Sequence, residues 1–313
     1  MFKLAIDAGH GIKTPGKRIP KKLDPKQTRE WQLNDRVARY IEEASKQYAD
    51  VEVLRVDDTT GKKDVSLSAR CKKSNQWDAD FYISCHHNAG VKLGTGGGIV
   101  AYCYKESTTA AKYRNAIYKS CVEAGGLRGN RSNPTPEKGF YVLKHTKAPA
   151  ALIEYGFMDS RTDAPVILTE EYAEIVGYAT MEAIADVAGL KKKSHPPELL
   201  QVDGKWGTKT TRRLQEIFGT KQDGKISNQW DVYEKDNPGL TSGWCWEEEP
   251  NGRGSNLIRA MQSWAGMHYR DCDGQFGVQT CKAFQEKLGT KVDGFVSNPS
   301  QMVKALQTWA NEQ

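Results

Sequence analysis

The sequence predicts an α/β domain with an open, twisted, mostly parallel sheet flanked by helices, followed by a small, mainly α-helical domain that arose by duplication. Three observations predict this. Short apolar runs alternate with longer amphipathic ones up to about Leu190, the pattern of strands connected through helices. The run Lys191-Lys192-Lys193-Ser194-His195-Pro196-Pro197 then combines repelling charges with paired prolines that no helix continues through. Beyond it the chain repeats itself without a gap, Asp203 falling on Asp273, an offset of 70 residues.

In the first domain, residues 1–190, the runs Phe2–Ile6, Val51–Val56, Asp80–Ser84, Gly98–Tyr104 and Ala150–Tyr155 read as strands. Amphipathic stretches over about 30–48, 64–76, 108–124 and 169–188 read as helices. Residues 191–197 read as the linker and 198–313 as the second domain. Within it Asp203-Gly204-Lys205-Trp206-Gly207 aligns with Asp273-Gly274-Gln275-Phe276-Gly277, Leu214-Gln215-Glu216 with Phe284-Gln285-Glu286, and Gly219 to Gly224 with Gly289 to Gly294. The repeats therefore span about 200–229 and 270–299, each a turn, a short helix and a turn. Leu257 to Trp264 and Met302 to Trp309 echo one another as amphipathic helices that pack the two units together. Duplicated units of this kind usually bind something repetitive.

Composition excludes some classes of function. A chain of 313 residues with 38% hydrophobic content has the material for a packed core. The segment most like a membrane span, Ile167 to Leu190, carries Glu170, Glu171, Glu174, Glu182 and Asp186, which excludes membrane insertion. The net charge of +6 belongs to residues 1–190, with 28 Lys/Arg against 24 Asp/Glu, and to the three linker lysines; residues 194–313 carry 14 against 15. No basic stripe interleaved with aromatics points to nucleic acid. Six of the eight tryptophans lie beyond residue 200, and Trp244-Cys245-Trp246, followed by three glutamates, reads as the best candidate for an exposed pair. The seven cysteines include no CxxC pair and read as free thiols. Met1 to Asp7 enters a strand directly, so synthesis in the cytoplasm without an ordinary export signal is expected.

Three polar clusters sit where predicted strands end: Asp7-Ala8-Gly9-His10-Gly11, Ser84-Cys85-His86-His87-Asn88-Ala89 and Leu152-Ile153-Glu154-Tyr155-Gly156-Phe157. In open α/β sheets ligands bind outside the carboxyl ends of the strands, so the three clusters face one crevice. A fourth member comes from helical spacing. The stripe Leu33, Val37, Tyr40, Ile41 and Ala44, extended backwards, lands on Glu30, a carboxylate that is costly on a buried face without a cation beside it. Two histidines and two glutamates at one crevice compose a zinc site with three protein ligands, one open position and a nearby base. Strand alternation lets only one of His86 and His87 point into it, and turns Cys85 away from His86.

In this order the motifs resemble those of the zinc-dependent N-acetylmuramoyl-L-alanine amidases found among bacterial cell-wall hydrolases and phage endolysins. The matching pieces are Asp7 to Gly11, Glu30 with Asn34, Leu67 and Arg70 with Asn75, Ser84 to Ala89, and Pro149 to Phe157, together covering roughly residues 1–188. The resemblance implies that His10, Glu30 and His86 bind one zinc ion, that Glu154 is the catalytic carboxylate, and that His87 occupies a variable position. The basic, proline-containing segment from Ile12 to Arg29 departs from the family pattern, as do Cys85 and His87 beside the ligand. More loosely, the C-terminal repeats look like peptidoglycan-binding modules.

The activity so implied is hydrolysis of the amide between the lactyl group of N-acetylmuramic acid and L-alanine in bacterial peptidoglycan. No substrate-binding residue is assigned by it; His145, shortly before the Glu154 strand, is left without a role. The expected setting is a phage endolysin, made in the host cytoplasm and acting on the wall after release, with an enzyme freed at sporulation as the neighbouring possibility. Two further readings stand beside the amidase: a zinc peptidase cleaving within the stem peptide, and a wall-binding protein without catalysis.

Overall fold

The computed structural model describes all residues except 106, 126, 194–198 and 249–253. It divides into two compact units, Met1–Lys193 and Ser194–Gln313.

The first unit is built on five strands, β1 (Phe2–Ala8), β2 (Val51–Arg55), β3 (Phe81–Asn88), β4 (Val100–Cys103) and β5 (Ala150–Phe157), in the order β2-β1-β3-β5-β4. Four run parallel and β4 pairs antiparallel with β5, the mostly parallel sheet that the sequence predicts. Its helices are α1 (Glu30–Ser45), α2 (Leu67–Gln76), α3 (Thr108–Gly125), α4 (Tyr141–His145), α5 (Ala164–Ile167) and α6 (Glu170–Ala188). Strand alternation divides the core between the two faces. Leu4, Ile6, Phe81, Ile83, Cys85, Ala151, Ile153 and Tyr155 pack with Leu33 and Val37 of α1, Ile117 of α3 and Val176 of α6. Ala5, Tyr82, Ala150 and Leu152 pack with Cys71 of α2 and Val142 and Leu143 of α4. Each fully buried Leu or Ile contributes about 1.5–3 kcal/mol. Caps set the helix ends: the Thr169 hydroxyl accepts from the Tyr172 N–H, and Gly189 at φ +67° stops α6.

The structure differs from the sequence reading at several points. β3 and β5 run on to Asn88 and Phe157, so His86 lies within a strand rather than beyond it, while Glu154 stays inside β5 as the sequence reading has it. Polar side chains are tolerated there because that end of the sheet opens into a cleft. The short helices α4 and α5 have no sequence precursor, one or two turns being too few to show a period. The expected linker starts too early. Lys191 and Lys193 belong to the first unit, the Lys191 carbonyl accepting from the Ala49 N–H at 2.9 Å and the Lys193 N–H donating to the Gln47 carbonyl at 2.7 Å. The rest of that segment, 194–197, lies outside the described residues. Among the described residues no helix is long and apolar enough to cross a membrane.

The second unit contains α7 (Thr208–Ile217), a two-stranded parallel ribbon of β6 (Ile226–Trp230) and β7 (Trp244–Glu247), α8 (Asn256–Trp264), α9 (Val278–Lys287) and α10 (Gln301–Asn311). Its organising device is a glutamine that clamps an Asp-Gly turn, and it occurs four times among the described residues. Gln215 of α7 accepts from the Gly224 N–H and donates to Asp223 and to the Lys225 carbonyl. Gln285 of α9 does the same for Asp293-Gly294-Phe295, and Gln262 of α8 for Asp273-Gly274-Gln275. Gln307 of α10 does it for Asp203-Gly204-Lys205. The four glycines sit at φ +73° to +79°, a region closed to most other residues. The helix that clamps the first turn of the first repeat is thus the last helix described. The echoing helices α8 and α10 meet as expected, their Trp264 and Trp309 rings 4.6 Å apart. The Trp244 and Trp246 pair is not exposed. Trp244 is buried, its indole N–H donating to the Trp206 carbonyl at 3.2 Å, and Trp246 stacks on it at 5.4 Å. The apolar demand of a small core outweighs the three glutamates that follow; Glu249 lies outside the described residues. The tryptophan that does face solvent is Trp230, 43% exposed.

Candidate metal centre

β1 ends at Ala8 and the chain turns sharply into His10, a non-glycine residue at φ +69°. Such a conformation costs about 1–3 kcal/mol and persists only where the surroundings fix it. Arg70, fully buried on α2, supplies that restraint. Its guanidinium donates to the Ala8 carbonyl at 2.8 Å and the His10 carbonyl at 2.9 Å, and it pairs with Asp7. Asp7 also accepts from Tyr82 at 3.0 Å and Ser84 at 2.8 Å, so its buried charge is fully partnered.

Register puts His86 of β3 directly beside Glu154 of β5. Gly9 lies against the His86 ring so closely that a Cβ there would stand 2.1 Å from its Cε1. Glu30 opens α1, with its N–H donating to the Lys17 carbonyl at 3.0 Å, and its carboxylate reaches the two histidines. Glu30 Oε1 lies 3.3 Å from His10 Nε2 and 3.0 Å from His86 Nδ1. One donor atom from each of the three residues falls within 4.8 Å of the others, the one such group among the described residues. Two imidazoles and a carboxylate suit a divalent transition metal.

The electrostatics agree. Burial raises the Glu30 pKa, but hydrogen bonds from His10 and His86 outweigh it and hold the carboxyl well below its usual range. Burial opposes a charge on His86, yet Glu30 raises its pKa. Burial pushes Glu154 up to about 7 against the pull of His86, and its Oε2 is buried without a hydrogen-bond partner. An unsatisfied carboxylate poised near neutrality beside a metal-ligand cluster suits proton transfer.

The four residues picked from the sequence therefore meet at one place. His10, His86 and Glu154 line a cleft of about 600 Å³ together with Lys17, Leu67, Phe140 and Tyr141. His87 points to the other face, where burial drives its pKa down to about 3 and its Nδ1 lies 2.8 Å from Asn34 Oδ1. Cys85 is buried on that face too, its thiol pushed up by burial, which disposes of it as a nucleophile. His145 stacks on Tyr141 at 4.0 Å and lines no part of the cleft. Sequence reasoning missed Lys17, Phe140 and Tyr141. The signal for Lys17 was the basic departure between Ile12 and Arg29; α4 gave none.

A family model described as N-acetylmuramoyl-L-alanine amidase matches residues 4–186. The chain belongs to this amidase family. It is 28% identical over 196 residues to the sporulation-specific N-acetylmuramoyl-L-alanine amidase of Bacillus subtilis (strain 168), covering 62% of this chain and 71% of that protein. It is 29% identical over 198 residues to the N-acetylmuramoyl-L-alanine amidase CwlM of Bacillus licheniformis, covering 62% and 72%. The catalytic domain of the amidase CwlV from Bacillus (Paenibacillus) polymyxa var. colistinus superposes with a TM-score of 0.54 at 23% identity, over 61% of this chain and 100% of that one. That likeness shows the shared fold. As a member of the amidase family the protein is a hydrolase of cell-wall peptidoglycan, and the family match ends before the second unit begins.

Proposed function

We propose that the protein is a zinc-dependent N-acetylmuramoyl-L-alanine amidase in which His10, Glu30 and His86 hold the ion and Glu154 moves the proton. The observation that carries this reading is the cluster of three donors within 4.8 Å, next to a buried carboxylate with no partner. The donor set fits zinc, which takes imidazole and carboxylate ligands and in catalytic sites keeps three of them from protein. When bound, zinc polarises an amide carbonyl and acidifies water at its open position. Glu154 takes a proton on its unpartnered Oε2 and returns it to the leaving L-alanine amine. Arg70 and Asn34 keep the His10 loop in place, and Leu67, Phe140 and Tyr141 give the cleft an apolar wall that limits water.

Metal analysis with lysis assays of wild type and His86→Ala tests the site. The variant is expected to lose both zinc and lysis, and full zinc occupancy in it would refute the ligand set. Mass spectrometry of digested wall separates the amidase from a stem-peptide hydrolase, because only the amidase releases intact stem peptides with a free L-alanine amine.

The second unit is the anchor in this reading, two clamped repeats with Trp230 offering an exposed aromatic surface beside the half-buried ring of Tyr233. Its near-neutral charge makes wall retention less salt-sensitive than a purely electrostatic tether. All seven cysteines are free, which suits synthesis in a reducing cytoplasm and release to the wall by lysis, as in a phage endolysin.

A further inference from the structure

Lys17 lies on the segment between β1 and α1, and that segment is held in place. Besides the bond from the Glu30 N–H to the Lys17 carbonyl, the Ile19 N–H donates to the Thr28 carbonyl at 2.9 Å, Arg18 bridges Arg29, and Ile19 is fully buried. Residues 17–19 and 28–30 thus run side by side as a short antiparallel pair. The pairing brings the Lys17 ammonium to 3.4 Å from Glu30 Oε2, while Oε1 faces the two histidine nitrogens. Glu30 Oε2 is buried and takes no hydrogen bond, so the Lys17 charge is what faces it. The Lys17 side chain is 43% exposed and lines the cleft.

We propose that Lys17 is a positioning residue that keeps Glu30 a one-oxygen metal ligand. The inference rests on the metal reading above. A carboxylate beside a divalent cation binds through one oxygen or two. An ammonium held at Oε2 leaves Oε1 alone for the ion, which keeps the protein donor atoms at three and a position open for substrate or water. The same ammonium places a second positive charge next to the ion, lowering metal affinity and leaving more of the ion's Lewis acidity for the substrate.

Cobalt(II) titration of the metal-free, full-length protein tests this with a spectroscopic readout. Wild type and Lys17→Arg are expected to show the intense visible bands of four-coordinate cobalt. Lys17→Met is expected to show the weaker bands of a five-coordinate site and to bind cobalt about tenfold more tightly, through loss of the like charge. Cobalt bands and affinity unchanged in Lys17→Met overturn the inference and leave the metal reading standing. A wild type that takes up no cobalt overturns both.

Discussion

Asn34 ties the turn that carries His10 to the strand that carries His86: its Oδ1 lies 2.8 Å from Nδ1 of His87, and its Nδ2 donates to the Gly9 carbonyl at 3.0 Å. Gly9 precedes His10 and His87 follows His86, so one buried amide sets the spacing of both imidazoles. Asn34→Leu is expected to keep all three ligands and still lower zinc affinity roughly tenfold, the usual scale for groups that orient ligands. Competition against a chelating dye measures it; wild-type affinity in a folded variant would contradict the role given to Asn34.

Gly9 enforces the same spacing by sterics. A Cβ 2.1 Å from the His86 ring forces that ring to move. Gly9→Ala is therefore expected to lose zinc at concentrations that saturate wild type, although the substitution removes no polar atom. Metal content after dialysis reports this directly.

Glu154→Gln removes the proposed proton carrier while keeping its shape. Turnover is expected to fall about 10²–10⁴-fold, with wall binding and zinc content retained. Residual turnover within a few-fold of wild type would move the proton transfer to another group.

The raised Glu154 pKa also has a stability consequence in the metal-free protein. The folded-state value of about 7 lies above the unfolded value of 4.5, so between these pH values the native state binds more protons. Its contribution is present at low pH and is lost as pH rises through 7. Metal-free Glu154→Gln is expected to match wild type near pH 4 and to exceed it at pH 8, by at most roughly 3 kcal/mol. Denaturant melts at the two pH values decide; a gap that is the same at both would exclude Glu154 as the titrating group.

Trp230→Ala is expected to reduce retention on purified wall roughly three- to tenfold while leaving hydrolysis of a small soluble substrate unchanged. Trp206→Ala makes the contrast. Trp206 is fully buried against Trp244, Phe276 and Phe284, so its loss should cost about 3–5 kcal/mol of stability.

Most of the first unit was legible because burial on both faces of a parallel sheet writes strands as apolar runs such as Phe2–Ile6. Glu30 was legible from the stripe of α1, since a carboxylate in line with Leu33 and Val37 demands an explanation. The choice between His86 and His87 followed from the resemblance, and the structure separates the two by strand alternation. The basic departure between Ile12 and Arg29 marked the segment of Lys17 but not its nearness to Glu30, which comes from a pairing of irregular segments that has no periodicity. The burial of Trp244 was missed for a related reason: exposure in a small unit depends on which neighbours fill the core, here Trp206 and Phe276. The glutamine clamps were half visible. Gln215 and Gln285 stood in the aligned repeats and Gln262 and Gln307 in the echoing helices, yet only the fold joins them to four Asp-Gly turns.

The clamp on Gly204 spans 103 residues to Gln307, and the Leu200 N–H reaches across 111 residues to Asn311. During synthesis the first turn of the second unit therefore waits, unlatched, until nearly all of that unit has left the ribosome. The preceding α/β unit meets no such delay and can fold while its successor is still being made. A message truncated before α10 would yield a finished hydrolase trailing an unfolded tail, a ready target for cellular proteases.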